Sequence, residues 1–368
     1  MSTLYGKKVF VAVTNDISTD QRVHKVCNYL VDKGFEVIVY GRELSSTIKV
    51  HRAYKIIRQK HWFNNNFLFY AEYNSRLLWR LLFSKYNFII SNDLDTLPAC
   101  FLGAKIKKSV LIYDCHEYFT EVPELQNRFL VRNIWRLIEQ LFLPRVKYST
   151  TVSQSIINEY KRKYGVNMGL LRNLPLLQKP LESKKVNFPT TNKVVLYQGV
   201  LNPGRGIKPM IKSLKYLKNV DLVIIGYGKV KNELVEFVKN ENLKNRVHFL
   251  GRISHEKLYS YTRIADVGMV LEEPLGKSFE YSLPNKLFDF IHAEIPIIAS
   301  PIKEVKKIVD TYEVGLTIDN HEPEHIAKTI SKLLSDSKLR ERIKVNQSQI
   351  KKQFSWENEV KILENFFS

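Results

Sequence analysis

The segment "SLPNKLFDFIHAEIPIIAS", residues 282–300, sets residue types that hold an anion beside one that holds a polyol. Pro284 suits the first turn of a helix, where a missing N–H costs nothing. The N–H groups of that turn have no partner inside the helix and carry partial positive charge, to which Lys286 adds a full one. Phosphates bind well at such a place. Asp289 follows at three- and four-residue spacing from Lys286 and Asn285, hence on the same helix face. A carboxylate there accepts hydrogen bonds from sugar hydroxyls. These residues suit a phosphate and a sugar held together.

Upstream, "YQGVLNPGRGIKPMIKSL" places Gly199, Gly204, Arg205 and Gly206 between a strand pattern and a helix pattern. Glycine lets backbone approach a ligand closely, and Arg forms two parallel bonds to phosphate. The spacing matches neither the dinucleotide fingerprint nor the P-loop, and a tight turn with a solvated Arg reads equally from it. Gly226 and Gly228 follow the next strand pattern in "IGYGK". Gly251 and Arg252 follow the one after, where they suit either a flat base or a surface turn. In "LEEPLGKSFEY", Glu272, Glu273 and Glu280 read as site carboxylates or as solvated loop charges.

The first half has its own polar clusters, each just past an apolar run. "YDCHEYFTEVPE" supplies Asp114, His116 and Glu117, and "SNDLDTLP" supplies Asn92, Asp93 and Asp95. "TNDISTDQRVHK" supplies Asn15, Asp16, Asp20 and Arg22. Asp95 and Asp20 also suit helix N-caps. Histidine between two carboxylates is readily tuned near neutral pH. No cluster has metal-ligand spacing, "DLD" at 93–95 being the nearest imitation, and the reading expects no metal and no cofactor.

The elements that position these groups alternate from end to end. Short apolar runs, "KKVFVAVTN", "FEVIVYG", "NFIISND", "SVLIYD" and "YSTTVS", are each followed by a helical pattern. Such βα repeats predict a parallel sheet covered on both faces. Residues 173–192, with three prolines and no period, predict a linker. The alternation restarts with "KVVLYQG", "VDLVIIGYG", "RVHFLG", "ADVGMVL", "IPIIAS" and "VGLTI", a second parallel sheet. "FSWENEVKILENFF" predicts a final amphipathic helix. Two doubly wound domains hold their ligands beyond the carboxyl ends of the strands, which is where the polar clusters fall.

A chain of 368 residues with 44% hydrophobic and 12% aromatic residues suits two domains with real cores. Cys27, Cys100 and Cys115 are too few and too scattered for a disulfide framework or a zinc site and fit a reduced, cytosolic protein. The apolar run after Lys7 and Lys8 is a strand rather than a signal peptide, and no run reaches spanning length. The net charge of +20 is denser in the first half, with 26 Lys and Arg against 14 Asp and Glu in residues 1–175. Nucleic acid, anionic lipid and a phosphorylated substrate all match that sign. Residues 56–86 interleave aromatics, Leu and basic residues, as an interfacial amphipathic segment or as one helix packed on the first sheet.

Several of these segments together resemble the family 4 glycosyltransferases of the GT-B fold over nearly the whole chain. "SLPNKLFDFIHAEIPIIAS" is similar to the Pro-Asn-Lys-Leu-Phe-Glu segment of bacterial members, and "YDCHEYFTEVPE" to their Tyr-Asp-x-His-Glu segment. "TDQRVHKVCNYLVDKGFEVIVYG" and "TVSQSIINEYKRKYG" also match family patterns, and the Trp356 helix resembles the one that crosses back to the first domain. The resemblance implies an α/β fold of two Rossmann-like doubly wound domains facing a central cleft. It places an acceptor-binding domain at 1–175, a donor-binding domain at 176–352 and the returning helix at 353–368.

It also implies roles. Arg205 and Lys286 hold the donor diphosphate and steady its departure, and His116 sits near the transferred sugar, as the catalytic set. Asp289, in place of the family's second Glu and one methylene shorter, binds the nucleotide ribose. Gly199, Gly204, Gly206, Gly226, Gly228, Glu280, Pro284 and Asn285 complete the donor side. Asn15, Asp20, Arg22, Asn92 and Glu117 face the acceptor. Eight residues before Asp289 stands Tyr281, with Glu280 one place off, and Val200 stands where many members carry Arg.

The function so implied is a retaining, metal-independent transfer of a hexose or N-acetylhexosamine from a nucleotide-diphosphate sugar to a glycan or lipid-linked acceptor in bacterial surface polysaccharide synthesis. The expected setting is the cytoplasm, peripheral on the inner face of the membrane, with an anionic lipid surface touched by residues 56–86. An epimerase acting on nucleotide sugars with the same scaffold is the alternative. A nucleic-acid-binding protein is more remote, since no binding motif is present and the aromatics read as core.

Overall fold

The computed structural model describes residues 5–44, 49–177 and 186–367, apart from the side chains of His255 and Glu256. The chain forms two compact units, Met1–Asn173 with Val360–Ser368, and Leu174–Glu359. Part of the expected linker, residues 178–185, lies outside the described residues.

The first unit is built on seven parallel strands: β1 Lys8–Ala12, β2 Glu36–Arg42, β3 Lys55–Gln59, β4 Phe88–Asn92, β5 Val110–Cys115, β6 Tyr148–Thr151 and β7 Gly169–Leu170. Their order is β3-β2-β1-β4-β5-β6-β7. β1 and β4, at the centre, are apolar runs almost wholly buried, as a sheet covered on both faces requires. The helices are α1 Gln21–Asp32, α2 Asn66–Leu82, α3 Leu97–Lys107, the short α4 Pro123–Gln126, α5 Phe129–Phe142 and α6 Gln154–Tyr164.

Right-handed crossovers decide which face each helix covers. The chain moves one way along the sheet through α1 and the other way through α2, α3, α5 and α6, so α1 lies opposite these four. One core joins Phe10, Ile38 and Tyr40 of the sheet to Phe69, Tyr73 and Leu77 of α2 and to Cys100 of α3. Residues 56–86 are therefore not one element: their start lies in strand β3, paired with β2, and the helix begins at Asn66. Ile56 and Ile57 favour the extended strand.

The second unit is a six-stranded parallel sheet of β8 Lys193–Gln198, β9 Val220–Ile225, β10 Val247–Gly251, β11 Val267–Val270, β12 Ile297–Ala299 and β13 Gly315–Thr317. The order is β10-β9-β8-β11-β12-β13. Its helices are α7 Ile207–Ser213, α8 Lys231–Asn240, α9 His255–Arg263, α10 Lys277–Glu280, α11 Asn285–Ala293, α12 Lys303–Tyr312, α13 Pro323–Ser335 and α14 Ser337–Ile350. One core lies under α7, α8 and α13 and another under α11 and α12. Both sheets reverse direction beside their first strand, which opens a crevice at the carboxyl ends of β1 and β4 and of β8 and β11.

The C-terminal segment is not one helix. It runs as α15 Trp356–Glu359, a 3₁₀ turn over Val360–Leu363 and α16 Glu364–Phe367. Within the second unit the Trp356 N–H donates to the Pro175 carbonyl, and the Leu177 N–H donates to Glu357. Within the first unit Glu364 accepts from Lys33 and Tyr29, and Phe367 packs on Phe35 and Phe88. The tighter turn lies where the chain passes from one set of partners to the other. Among the described residues no helix is long and apolar enough to cross a membrane.

Candidate functional site

In the second unit the chemistry gathers at the ends of β8 and β11. Pro284 is the N-cap of α11 rather than its first helical residue, so the free N–H groups begin at Asn285. No acidic residue occupies that first turn. Asn285 is exposed, whereas Lys286 is buried. Lys286 Nζ lies 2.7 Å from Glu272 Oε1 and 4.2 Å from the centre of the Tyr197 ring. Arg205 reaches the same Glu272 oxygen at 3.4 Å, with its guanidinium over Phe279.

Glu272 is fully buried, which corrects its reading as a solvated loop charge. Burial alone disfavours the carboxylate, but Lys286 and Arg205 outweigh it and hold the acid below the ordinary Glu range. Its second oxygen has no hydrogen-bond partner among the described residues. Two cations, one of them from the first turn of α11, thus meet one carboxylate, an excess of positive charge that suits an added anion.

The glycines act chiefly by letting backbones cross. A Cβ at Gly226 would stand 1.8 Å from the Gly199 carbonyl oxygen, one at Gly228 2.3 Å from that of Leu201, and one at Gly206 2.1 Å from that of Leu271. A Cβ at Gly204 would meet Leu275 at 2.6 Å. Gly199 is the glycine beside the cluster, where a Cβ would lie 3.7 Å from Lys286 Cε. Asp289 accepts a hydrogen bond of 2.9 Å from Gln198 Nε2, and Gln198 in turn accepts from the Thr262 hydroxyl at 2.8 Å. The structure adds Gln198 to the site; a polar residue ending a buried strand just before Gly199 was its signal. Glu280 ends α10, exposed.

In the first unit the polar clusters past β1, β4 and β5 converge. Arg22 clamps Asp114 through Nε at 2.9 Å and Nη2 at 2.5 Å, and the Thr150 hydroxyl adds a bond of 2.7 Å. His116 has acceptors on both sides. Its Nε2 lies 3.1 Å from Asp114 and 3.1 Å from the Asn92 side-chain oxygen, and its Nδ1 lies 3.4 Å from Asp93. Only the imidazolium satisfies both ring nitrogens. Desolvation opposes that charge, but Asp93 and Asp114 overcome it and raise the pKa to about 9. Asp114 is held well below the usual carboxylate range: burial pushes it up, and Arg22 and His116 more than reverse this.

Asp95 does not cap α3, whose N-cap is Thr96; instead it accepts the Thr14 hydroxyl at 2.6 Å. Burial and then the charge of Asp93 push its pKa up to about 7. Desolvation, then the charges of Asp93 and Glu124, pushes Glu117 above the ordinary carboxylate range. Asp20 caps α1 by accepting from the Val23 N–H, and Asn15 is exposed beside it in sequence. Arg22 and Asn92 are buried and spend their groups on Asp114, His116 and the Ala12 carbonyl. Among the described residues Arg22 Nη1 and Asp95 Oδ1 have no hydrogen-bond partner. Among the described residues no group of His, Cys, Asp and Glu is arranged to hold a metal ion.

Residues 178–349 match the family described as glycosyl transferases group 1, and residues 20–172 match glycosyltransferase family 4. An uncharacterized glycosyltransferase of Methanocaldococcus jannaschii is 24% identical over 318 residues, which are 78% of each chain. The fold is shared with a sucrose-phosphate synthase from Thermosynechococcus elongatus, at TM-score 0.83 and 16% identity over 98% of both chains. It is also shared with HepE of Anabaena, solved with UDP and glucose, at TM-score 0.75 and 14% identity over 98% of both chains.

Proposed function

The chain belongs to the family 4 glycosyltransferases of the GT-B fold, and from that premise we propose that it moves a hexose or N-acetylhexosamine from a nucleotide-diphosphate sugar to a glycan or lipid-linked acceptor with retention and without a metal. The observation that carries this reading is the buried Lys286–Glu272 pair at the first turn of α11, joined by the half-buried Arg205. As the glycosidic bond breaks, negative charge builds on the departing diphosphate. Cations and helix N–H groups already fixed there stabilise that charge more than they stabilise the ground state. Lys286 and Arg205 take this role, and the charge a metal would otherwise bring is supplied by side chains. Asp289, steadied by Gln198, takes the ribose hydroxyls. The departing phosphate oxygen accepts the acceptor's proton as the new bond forms on the same face.

In the first unit the His116 imidazolium sets a positive charge beside the substrate, its ring held by Asp93, Asn92 and Asp114, and Asp114 in turn by Arg22. A nucleotide-sugar donor is further supported by the UDP and glucose bound by HepE. The place in surface polysaccharide synthesis, the cytoplasmic setting and the contact of residues 56–86 with an anionic membrane are parts of the same proposal, supported by the net charge of +20.

A thermal-shift series with UDP, GDP and ADP, each with Mg²⁺ or with EDTA, tests the donor site. Ligand that binds only the folded state raises the melting temperature by mass action. The expected result is a shift with one nucleotide, equal in EDTA and lost in Lys286→Ala. A shift that needs Mg²⁺ overturns the metal-free reading, and a shift that survives Lys286→Ala overturns the site. Product analysis with and without acceptor then separates transfer from epimerisation.

A further inference from the structure

We propose that the outer face of the α2–α3–α5 layer, centred on α5, is the surface by which the first unit lies on an anionic lipid bilayer. The inference rests on the membrane-proximal reading above and moves the contact from residues 56–86 to a helix that reading did not include.

The three helices cover one side of the sheet and touch one another, Tyr70 of α2 meeting Trp135 of α5 and Phe101 of α3 meeting Phe142 of α5. Each buries one side beneath it. In α5 the inward side is Trp135 and Glu139, with Glu139 accepting the hydroxyls of Tyr160 and Tyr164. The opposite side of α5 carries Leu130, Ile134, Leu137 and Leu141, one above another at helical spacing. Leu130 is 76% exposed and Leu137 55%. The outward side of α3 continues the pattern with Leu102 and Ile106, while Trp79 and Phe83 at the end of α2 are exposed beside Tyr40 and Gln59. An isolated exposed Leu needs no account, but two adjacent helices that both turn apolar stripes outward do.

The charges choose the occupant. Between Asn127 and Lys147 stand Arg128, Arg145 and Lys147, together with Arg132 and Arg136, which pair with Glu121, and the single acidic residue of that stretch, Glu139, is fully buried. α3 has no acidic residue, and the one of α2, Glu72, is held by Arg76 and the Trp62 and Phe63 N–H groups. Cationic side chains around an apolar stripe, without free carboxylates, match the headgroup and acyl boundary of an anionic leaflet. A second copy of the same face would set these cations against one another.

The test is co-sedimentation of the full chain with phosphatidylcholine vesicles and with equimolar phosphatidylcholine and phosphatidylglycerol, at low and high salt. UDP thermal shift and solution mass are read on the same samples. The expected result is binding to the anionic vesicles alone, weakened by salt, and about tenfold or more weaker in Ile134→Glu/Leu137→Glu, with the UDP shift unchanged. Leu137→Met keeps binding. Equal binding by the double variant, with loss instead in Trp62→Glu/Phe67→Glu, overturns the α5 surface and leaves the membrane reading with residues 56–86. No vesicle binding by the unaltered protein overturns the inference, while the UDP shift judges the donor site separately. A dimer broken by the double variant overturns it in favour of a second copy.

Discussion

Lys286 and Glu272 form an ion pair of 2.7 Å with both side chains out of water, one at the first turn of α11 and the other just past β11. A diphosphate on Lys286 and Arg205 competes with Glu272 for the same cations. Glu272→Gln removes that competitor and leaves the cations uncompensated. The free protein is expected to lose about 3–5 kcal/mol, the usual cost of breaking a buried pair from one side. The UDP thermal shift is expected to grow, because the ligand restores the missing charge. Melting curves with and without UDP check this, and a shift no larger than that of the unaltered protein refutes it.

Asp289→Ala removes the carboxylate assigned to the ribose and takes from Gln198 Nε2 its acceptor, leaving the Thr262 bond to Gln198 Oε1. A hydrogen bond to a charged group contributes about 1.5–3 kcal/mol, so nucleotide affinity should fall by roughly one to two powers of ten. Titration calorimetry with UDP and with free pyrophosphate separates the effect: pyrophosphate affinity should be unchanged.

The first unit is expected to lose stability as pH rises through the alkaline side of neutrality. His116 has a folded pKa of about 9, above the ordinary 6.5. Its contribution is complete below about 6.5 and is lost as pH passes 9. Asp95, raised to about 7, acts in the same direction between about pH 4 and 7, since the folded state binds the extra proton. Asp114 is depressed and contributes above its ordinary range, failing only in acid. Denaturant midpoints measured from pH 6 to 10 should therefore decline, and His116→Gln should flatten the decline above about pH 6.5. An unchanged slope in His116→Gln removes the imidazolium assignment.

Two glycines of the second unit are expected to respond very differently to alanine. At Gly226 the new Cβ would stand 1.8 Å from a backbone carbonyl oxygen that cannot swing aside. Gly226→Ala should cost more than about 3 kcal/mol. At Gly251 nothing lies within 4 Å, and only the positive φ of 69° opposes a side chain. Gly251→Ala should cost about 1–2 kcal/mol. Urea melts of the two variants decide the matter, and equal losses would show that backbone conformation, not crossing, governs both.

Much of this protein was legible along the chain. Short apolar runs between helical patterns marked both parallel sheets, because a strand buried on both faces must be apolar throughout and a parallel neighbour requires a crossover. The polar residues just past those runs, Lys286, Asp289, His116 and Arg205 among them, were legible as candidates from position and type. Partnership was not legible. Glu272 has the same letter as the solvated Glu280, and only the fold buries one and exposes the other. Arg22 and Asp114 stand far apart in sequence, so the clamp that holds His116 charged exists only when β1 and β5 lie in one sheet. The α5 stripe of Leu130, Ile134, Leu137 and Leu141 faces outward through tertiary packing, since Trp135 and Glu139 take the inner side. Sequence determined which groups face the ends of the strands, because side-chain direction follows local backbone geometry. Tertiary structure decided which charges meet and which surfaces remain in water, because those depend on distances between segments that no local rule sets.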